Sequence, residues 1–378
     1  MLIAGEASGD LLATELVSAL REKLPDAKFF GAGGPKMSEA GVELAFNLMQ
    51  HAATGIPTVG RFFQGRKQLN QLFALAIDRK PDAVIGVDYG FFNLRFGHAI
   101  RQFTRDNPFS KWNPRIIQFV SPQVWASRPH RAKLLEADYD LVLSIFPFEK
   151  DWYAQRTPKL RVEFVGHPMV ERFEKSKVQS PKSKESSDSP AILLLPGSRK
   201  GELKRHLPVM LDAVELVQRQ LPTCRARMVL PNPELKKLAE KSSEPPPEIE
   251  IQLNDLPEAL TQADVVISKT GTVTMECAFF GVPTVTLYQK PLLDLAMNLR
   301  IITVKSLTMP NLLAGEEVFP EFLQKAATPQ NIAQAALDLL RNEPRRQQIK
   351  LQLARIISSL GGPGACERAA TAILSLFS

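Results

Sequence analysis

The chain has 378 residues, 44% of them hydrophobic, which is longer than a single core usually serves and points to two domains. Lys and Arg outnumber Asp and Glu by 7, which favours anionic partners; with no nucleic-acid-binding motif and no aromatic-interleaved basic array, nucleic acid is not an expected partner. Cys224, Cys277 and Cys366 and five scattered histidines lack the spacing of a disulfide framework or a metal site, and no apolar run is long enough to span a membrane, so a soluble or peripheral protein is expected with no metal, no cofactor and no cleaved signal peptide.

From the N-terminus, MLIAGEA reads as a strand entering a glycine turn, LLATELVSALREKL as an amphipathic helix and AKFFGAGG as a further strand, with later strands at DAVIGVD, RIIQFVS and YDLVLSIF. Such alternation implies a parallel sheet. Ser176 to Pro190 (SKVQSPKSKESSDSP) is rich in Ser and Lys and nearly free of apolar residues, the composition of a solvated linker. The pattern restarts with the strand AILLLPGSR, a helix from about Leu207 to Gln220, strands at RARMVL and IEIQL, a helix near Leu256, the strand DVVIS, a glycine turn and helix at TGTVTMECAFFG, and the strand PTVTLY. Ser242 to Glu248 (SSEPPPE) reads as a loop within this half. From Pro329 the chain is helical, with Ile332, Ala336, Leu339 and Leu340 on one face. The expected fold is therefore α/β: two Rossmann-like domains facing a cleft, 1–175 and 191–345, with a linker at 176–190 and C-terminal helices over 346–378. Ligands of such folds bind at the carboxyl ends of the strands, which makes the cleft the expected site.

Several segments place chemistry there. AGEASGD leaves the first strand and opens a helix, so Gly5, Glu6, Ser8 and Gly9 are candidates for the acceptor side of the cleft; the alternative is a structural turn in which Ser8 or Asp10 caps the helix. Asp88 ends the strand DAVIGVD, where a carboxylate can act as base for an acceptor hydroxyl or cap the following helix. Asn93, in the same IGVDYGFFN segment, is grouped with the acceptor side. LLPGSRKGE repeats the strand-to-turn geometry, with Gly197 and Ser198 in the turn and Arg199 able to clamp a diphosphate or to bridge loops. In SKTGTVTME, Thr270, Gly271 and Thr272 can face phosphates at a helix start, and Glu276 can accept both hydroxyls of a ribose or sit on a helix surface. Ile56, Val59, Phe62 and Phe63 mixed with Arg61, Arg66 and Lys67 suit contact with an anionic membrane surface, or an ordinary amphipathic helix packed on the core.

The segments AGEASGD, IGVDYGFFN, QFVSPQVWA, IFPFEKDWY, FVGHPM, LLPGSRKGE, TGTVTME and MPNLLAG occur in one order, and with them the chain resembles the lipid A disaccharide synthases. The resemblance implies a two-domain glycosyltransferase fold of the B type. It implies metal-independent, inverting transfer from UDP-2,3-diacylglucosamine to 2,3-diacylglucosamine 1-phosphate (lipid X), giving UDP and a β-1,6-linked disaccharide. It also implies a cytoplasmic, peripheral place on the inner face of the bacterial inner membrane, and a homodimer that can form by exchange of C-terminal helices. On the same footing Asp88 matches the essential carboxylate, Asn311 the essential asparagine of PNLLAG, Arg199 the arginine that binds the uridine diphosphate, and Thr272 and Glu276 the nucleotide-binding turn. Three positions depart from the pattern: Phe91 stands where many members carry a second Asp, Ser127 where a second Trp is common, and Lys269 where a small residue precedes the Gly-Thr turn. Two other readings are a UDP-sugar transferase acting on a polyprenyl-linked acceptor and a catalytically silent nucleotide-binding or membrane-docking protein.

Overall fold

Seven short strands form the first sheet: β1 (Leu2–Ala4), β2 (Phe30–Gly33), β3 (Glu43–Asn47), β4 (Ala83–Val87), β5 (Arg115–Phe119), β6 (Leu141–Ser144) and β7 (Val162–Phe164). Six more form a second sheet: β8 (Ala191–Leu195), β9 (Arg225–Leu230), β10 (Ile249–Leu253), β11 (Val265–Lys269), β12 (Thr284–Tyr288) and β13 (Glu321–Leu323). The computed structural model describes residues 1–48, 58–179, 189–242, 249–289 and 304–378, with helix positions 58–64, 175–179 and 242 described by backbone alone. Central strands such as β6 and β8 read as unbroken apolar runs, the signature of parallel strands covered on both sides.

All strand pairs are parallel, in the orders β3-β2-β1-β4-β5-β6-β7 and β10-β9-β8-β11-β12-β13. The winding reverses in the first sheet between β1 and β4, where Leu2 pairs with Ile85, and in the second between β8 and β11, where Leu194 pairs with Ile267. At such a reversal the chains leaving adjacent strands diverge and leave a crevice at the carboxyl edge. The segments leaving these strands are Gly5–Asp10 and Asp88–Gly90 in the first sheet, and Pro196–Arg199 and Thr270–Thr272 in the second.

The chain divides into two units, 1–168 with 360–378, and 169–359. The change of unit falls at Met169, ahead of the linker expected at 176–190. Helix Met169–Gln179 belongs to the second unit and runs into that stretch, and 180–188 lie outside the described residues. At the other end, helix Glu343–Ser359 stays with the second unit, where Ile349, Leu353 and Ile356 join its core, so only the last part of the expected 346–378 segment returns to the first. Arg368 fixes that return through donors to the carbonyls of Val165 (2.8 Å), Gly362 (2.8 Å) and Pro363 (2.6 Å), and helix Ala365–Leu374 packs on helix Ala7–Lys23. Helix Pro329–Arg341 buries Ile332, Ala336, Leu339 and Leu340 as its spacing predicts. The loop expected over 242–248 lies outside the described residues from 243 onward.

Candidate active site

In the first unit the site is a strained turn. Asp88 and Tyr89 leave β4 with φ of 52° and 44°, left-handed backbone that non-glycine residues hold only when their surroundings over-determine it, at about 1–3 kcal/mol each. The Asp88 N–H donates to the carbonyl of Phe119 (2.8 Å), and the Asp88 carbonyl accepts from the amides of Asn93 (2.8 Å) and Gln118 (2.9 Å). Gly86 makes room for both amides: a Cβ there would lie 2.7 Å from Gln118 Oε1 and 2.8 Å from Asn93 Cγ. Both amides are buried with their carbonyl oxygens unpartnered. The cost of two orphan acceptors, about 1–3 kcal/mol each, therefore goes into holding one backbone turn.

That turn presents the Asp88 carboxylate beside the first glycine turn, where its Oδ2 accepts from Ser8 Oγ at 3.3 Å. Burial raises the Asp88 pKa above the usual carboxylate range, against hydrogen bonds from Ser8 and the Tyr89 N–H that pull it down. The result is a carboxylate more basic than one in water, as proton abstraction from a hydroxyl requires. Gly5 is needed because the Tyr89 ring lies where its Cβ would be, 2.3–2.5 Å from three ring carbons. Asp10 does not cap the helix it occupies; its carboxylate accepts from the N–H groups of Gly34 (2.8 Å), Lys36 (3.0 Å) and Met37 (3.2 Å) and so ties β2's exit to the first turn.

The loops after β5 and β6 are braced by a buried carboxyl. Glu149 accepts from Trp125 Nε1 (2.9 Å) and the Phe146 N–H (3.2 Å), and burial pushes it up to about 7. This bond explains why QFVSPQVWA and IFPFEKDWY both belong to the chain's motif set: one supplies the indole, the other the carboxyl.

In the second unit Glu202 organises the turn after β8. Its Oε2 accepts from the Ser198 N–H (3.3 Å), its Oε1 from Lys269 Nζ (3.2 Å), and Arg199 lies 4.0 Å away with 70% of its side chain exposed. Gly197 has φ 126°, and a Cβ there would lie 2.7 Å from Glu202 Oε2; Gly271 has φ 148°, and a Cβ there would lie 2.9 Å from Lys269 Nζ. Gly197, Ser198, Arg199 and Gly271 are thus gathered at one strand edge. Thr272 is exposed there, whereas Thr270 is buried with its N–H donated to the Leu287 carbonyl (3.0 Å). Glu276 is half-buried and desolvation pushes it up to about 7, against the nearby charge of Arg172. His206, which the sequence reading did not single out, joins two strand ends: Nε2 accepts from the Gln289 N–H (3.2 Å) and Nδ1 faces the Pro196 carbonyl (3.4 Å).

Residues 1–376 match the family described as lipid-A-disaccharide synthetase. The chain belongs to the lipid-A-disaccharide synthetase family. It is 32% identical over its whole length to 97% of a lipid-A-disaccharide synthase of Syntrophus aciditrophicus, and 34% identical over its whole length to 97% of that of Trichlorobacter lovleyi. Among solved structures it resembles the calicheamicin glycosyltransferase CalG4, with a TM-score of 0.61 and 14% identity over 99% of this chain and 96% of the other, a likeness of fold alone. The two doubly wound units are those of the B-type glycosyltransferase fold.

Membership of the lipid-A-disaccharide synthetase family sets the expected residues against the geometry. Asp88 and Ser8 meet, with Gly5 and Gly9 packed beneath them and Glu6 exposed beside them. Asn93, expected on the acceptor side, is 2% exposed and supports the Asp88 turn from below. Asn311, expected to be catalytic, is a buried brace. Its Oδ1 accepts from the N–H groups of Val318 (2.9 Å) and Phe319 (2.8 Å), and its Nδ2 donates to the Phe319 carbonyl (2.8 Å) and Glu321 (3.1 Å). Its amide is saturated within its own loop, which it holds together. Of the expected membrane segment, Ile56 lies outside the described residues. Val59, Arg61, Phe62 and Phe63 fall on helix Thr58–Arg79 where only the backbone is described, and Arg66 and Lys67 are exposed. Leu72 and Ala76 bury the later turns of that helix in the core, and among the described residues no helix is long and apolar enough to cross a membrane.

Proposed function

We propose that the chain transfers 2,3-diacylglucosamine from UDP-2,3-diacylglucosamine to the 6-hydroxyl of 2,3-diacylglucosamine 1-phosphate, releasing UDP and forming a β-1,6-linked disaccharide 1-phosphate. The observation that carries this reading is Asp88: a desolvated carboxylate of raised basicity, held by a strained turn at the winding reversal of the first sheet. Its Oδ2 takes the proton of the 6-hydroxyl as the oxygen bonds to the donor's anomeric carbon; the bond from that carbon to the β-phosphate oxygen breaks on the opposite face, and the configuration inverts. Ser8 orients the carboxylate through its hydrogen bond. Asn93 and Asn311 are positioning residues.

The leaving diphosphate gains negative charge as the bond breaks. Arg199, Lys269 and the Ser198 turn supply the positive field that charge requires, and a forked guanidinium suits two phosphate oxygens. Glu276 accepts the ribose hydroxyls. Both substrates carry acyl chains, so the reaction runs at a lipid surface, and helix Thr58–Arg79, which exposes Arg66 and Lys67, is the element we assign to the anionic inner face of the bacterial inner membrane. Residues 360–378, docked by Arg368, are the element two copies would exchange in a homodimer.

The test is direct: purified protein in neutral detergent micelles receives both lipid substrates, and UDP and disaccharide are measured. Equal molar release of UDP and disaccharide is expected. Absence of disaccharide overturns the reading.

A further inference from the structure

Phe91 is 56% exposed, three residues beyond Asp88 on the first turn of helix Gly90–Asp106. Two guanidiniums lie over its ring, Arg95 at 4.9 Å and Arg131 at 5.3 Å from the centroid. Arg95 is one helical turn on from Phe91. Arg131 comes from the loop after β5, where Pro129 opens the short turn Pro129–Arg131 and the Arg131 N–H donates to the Arg128 carbonyl (3.0 Å). The two loops are pressed together, since a Cβ on Gly90 would lie 2.9 Å from Pro122 Cβ. Burial, then the charges of Arg128 and Arg95, lower the Arg131 guanidinium from its ordinary value, so Arg131 lies within the field of both.

Gathering three like charges is unfavourable unless something compensates them. The Phe91 ring does so in part: a guanidinium over an aromatic face gains about 0.5–2 kcal/mol and can still offer N–H donors to a third group. Guanidinium forks ordered on one ring fit a phosphate monoester better than a neutral hydroxyl.

We infer that Arg95 and Arg131, which lie over the Phe91 ring, together with Arg128 at the start of the Arg131 turn, form a phosphate-monoester site that selects the acceptor by its anomeric phosphate. This rests on the proposed reaction, in which base and phosphate act on one sugar: Asp88 takes the 6-hydroxyl proton while the arginines hold the phosphate at C1. The site thereby sets which sugar end faces the base. Phe91 offers its exposed ring edge to the apolar side of the same sugar.

The experiment compares 2,3-diacylglucosamine 1-phosphate with 2,3-diacylglucosamine lacking the phosphate, as acceptors for the wild type and for Arg128→Gln/Arg131→Gln, in neutral micelles at saturating donor. The wild type is expected to prefer the phosphorylated acceptor by at least about tenfold in kcat/KM, and the double variant to lose most of that preference, mainly through KM for the acceptor, as expected for lost charge-assisted bonds. Arg131→Lys, which keeps the charge and the stem, should retain part of it and guards against a general loss of fold. An unchanged preference, or an equal loss on both acceptors, overturns the inference. Binding to phosphatidylglycerol and phosphatidylcholine vesicles separates the other phosphate source: loss of phosphatidylglycerol binding with acceptor preference intact also overturns it. Should the wild type form no disaccharide, the reaction is wrong, and the site is then judged by calorimetry with glucosamine 1-phosphate. Binding that the double variant weakens tenfold or more sustains the site, and its absence ends the proposal.

Discussion

The Lys269 ammonium lies 3.2 Å from the Glu202 carboxylate and joins the glycine turn after β8 to the one after β11. Both side chains are less than one-fifth exposed, so the pair is largely desolvated, and in the proposed reaction the diphosphate would compete with Glu202 for the ammonium. Lys269→Met should weaken UDP binding by about tenfold, the worth of one charge-assisted contact, and leave binding of uridine, which has no phosphates, nearly unchanged. Calorimetric titration of both ligands checks it. Equal loss for the two would assign Lys269 to the fold alone.

Tyr89 and Gly5 form the tightest backbone approach of the first unit's site. Gly5→Ala should drive the ring off and destabilise the protein by about 1–3 kcal/mol, as overpacking does, with a marked loss of turnover because the displaced residue adjoins Asp88. Adding Tyr89→Ala should restore most of the stability, since the clash is removed. Thermal unfolding of the two variants decides the point: no recovery in the double variant would mean the strain lies elsewhere.

His206 links stability to pH. Burial lowers its pKa below the ordinary 6.5, so the unfolded chain binds the proton first. The stabilisation is therefore complete above about pH 6.5 and is lost as pH falls through that value towards the lower folded pKa. The neutral ring accepts from Gln289 at Nε2, a bond that protonation forbids. Stability should drop between about pH 7.5 and 5.5, and His206→Gln should flatten that part of the profile. A profile unchanged by the substitution would contradict the assignment.

Much of this architecture was legible in the sequence. β1, β4, β6 and β8 are mainly apolar, β5, β11 and β12 carry apolar residues with polar ones among them, and glycine turns follow β1, β8 and β11. The edge strands β3, β7 and β13 were not read. ELAFN, VEF and EFL are short and half-exposed, so neither alternation nor an apolar run marks them. The turn at Asp88 was visible as a strand-end carboxylate, but its support was not: Gln118 is distant in sequence, Asn93 is near but turned inward, and both donate to one backbone carbonyl. Asn311 was expected to be catalytic only through the family resemblance; its saturation by Val318, Phe319 and Glu321 is a tertiary fact. Phe91 was read as a lost carboxylate, and the arginines around it supply the local meaning that one position could not.

The proposed transfer depends on Asp88 as its base. Initial rates of disaccharide formation by Asp88→Asn and the wild type, measured beside UDP affinity, test it most directly. The variant keeps the side-chain shape and removes the proton acceptor, so turnover should fall by about 10²–10⁴ with UDP affinity unchanged within about twofold. Turnover within tenfold of the wild type, in a variant that still binds UDP, would contradict it.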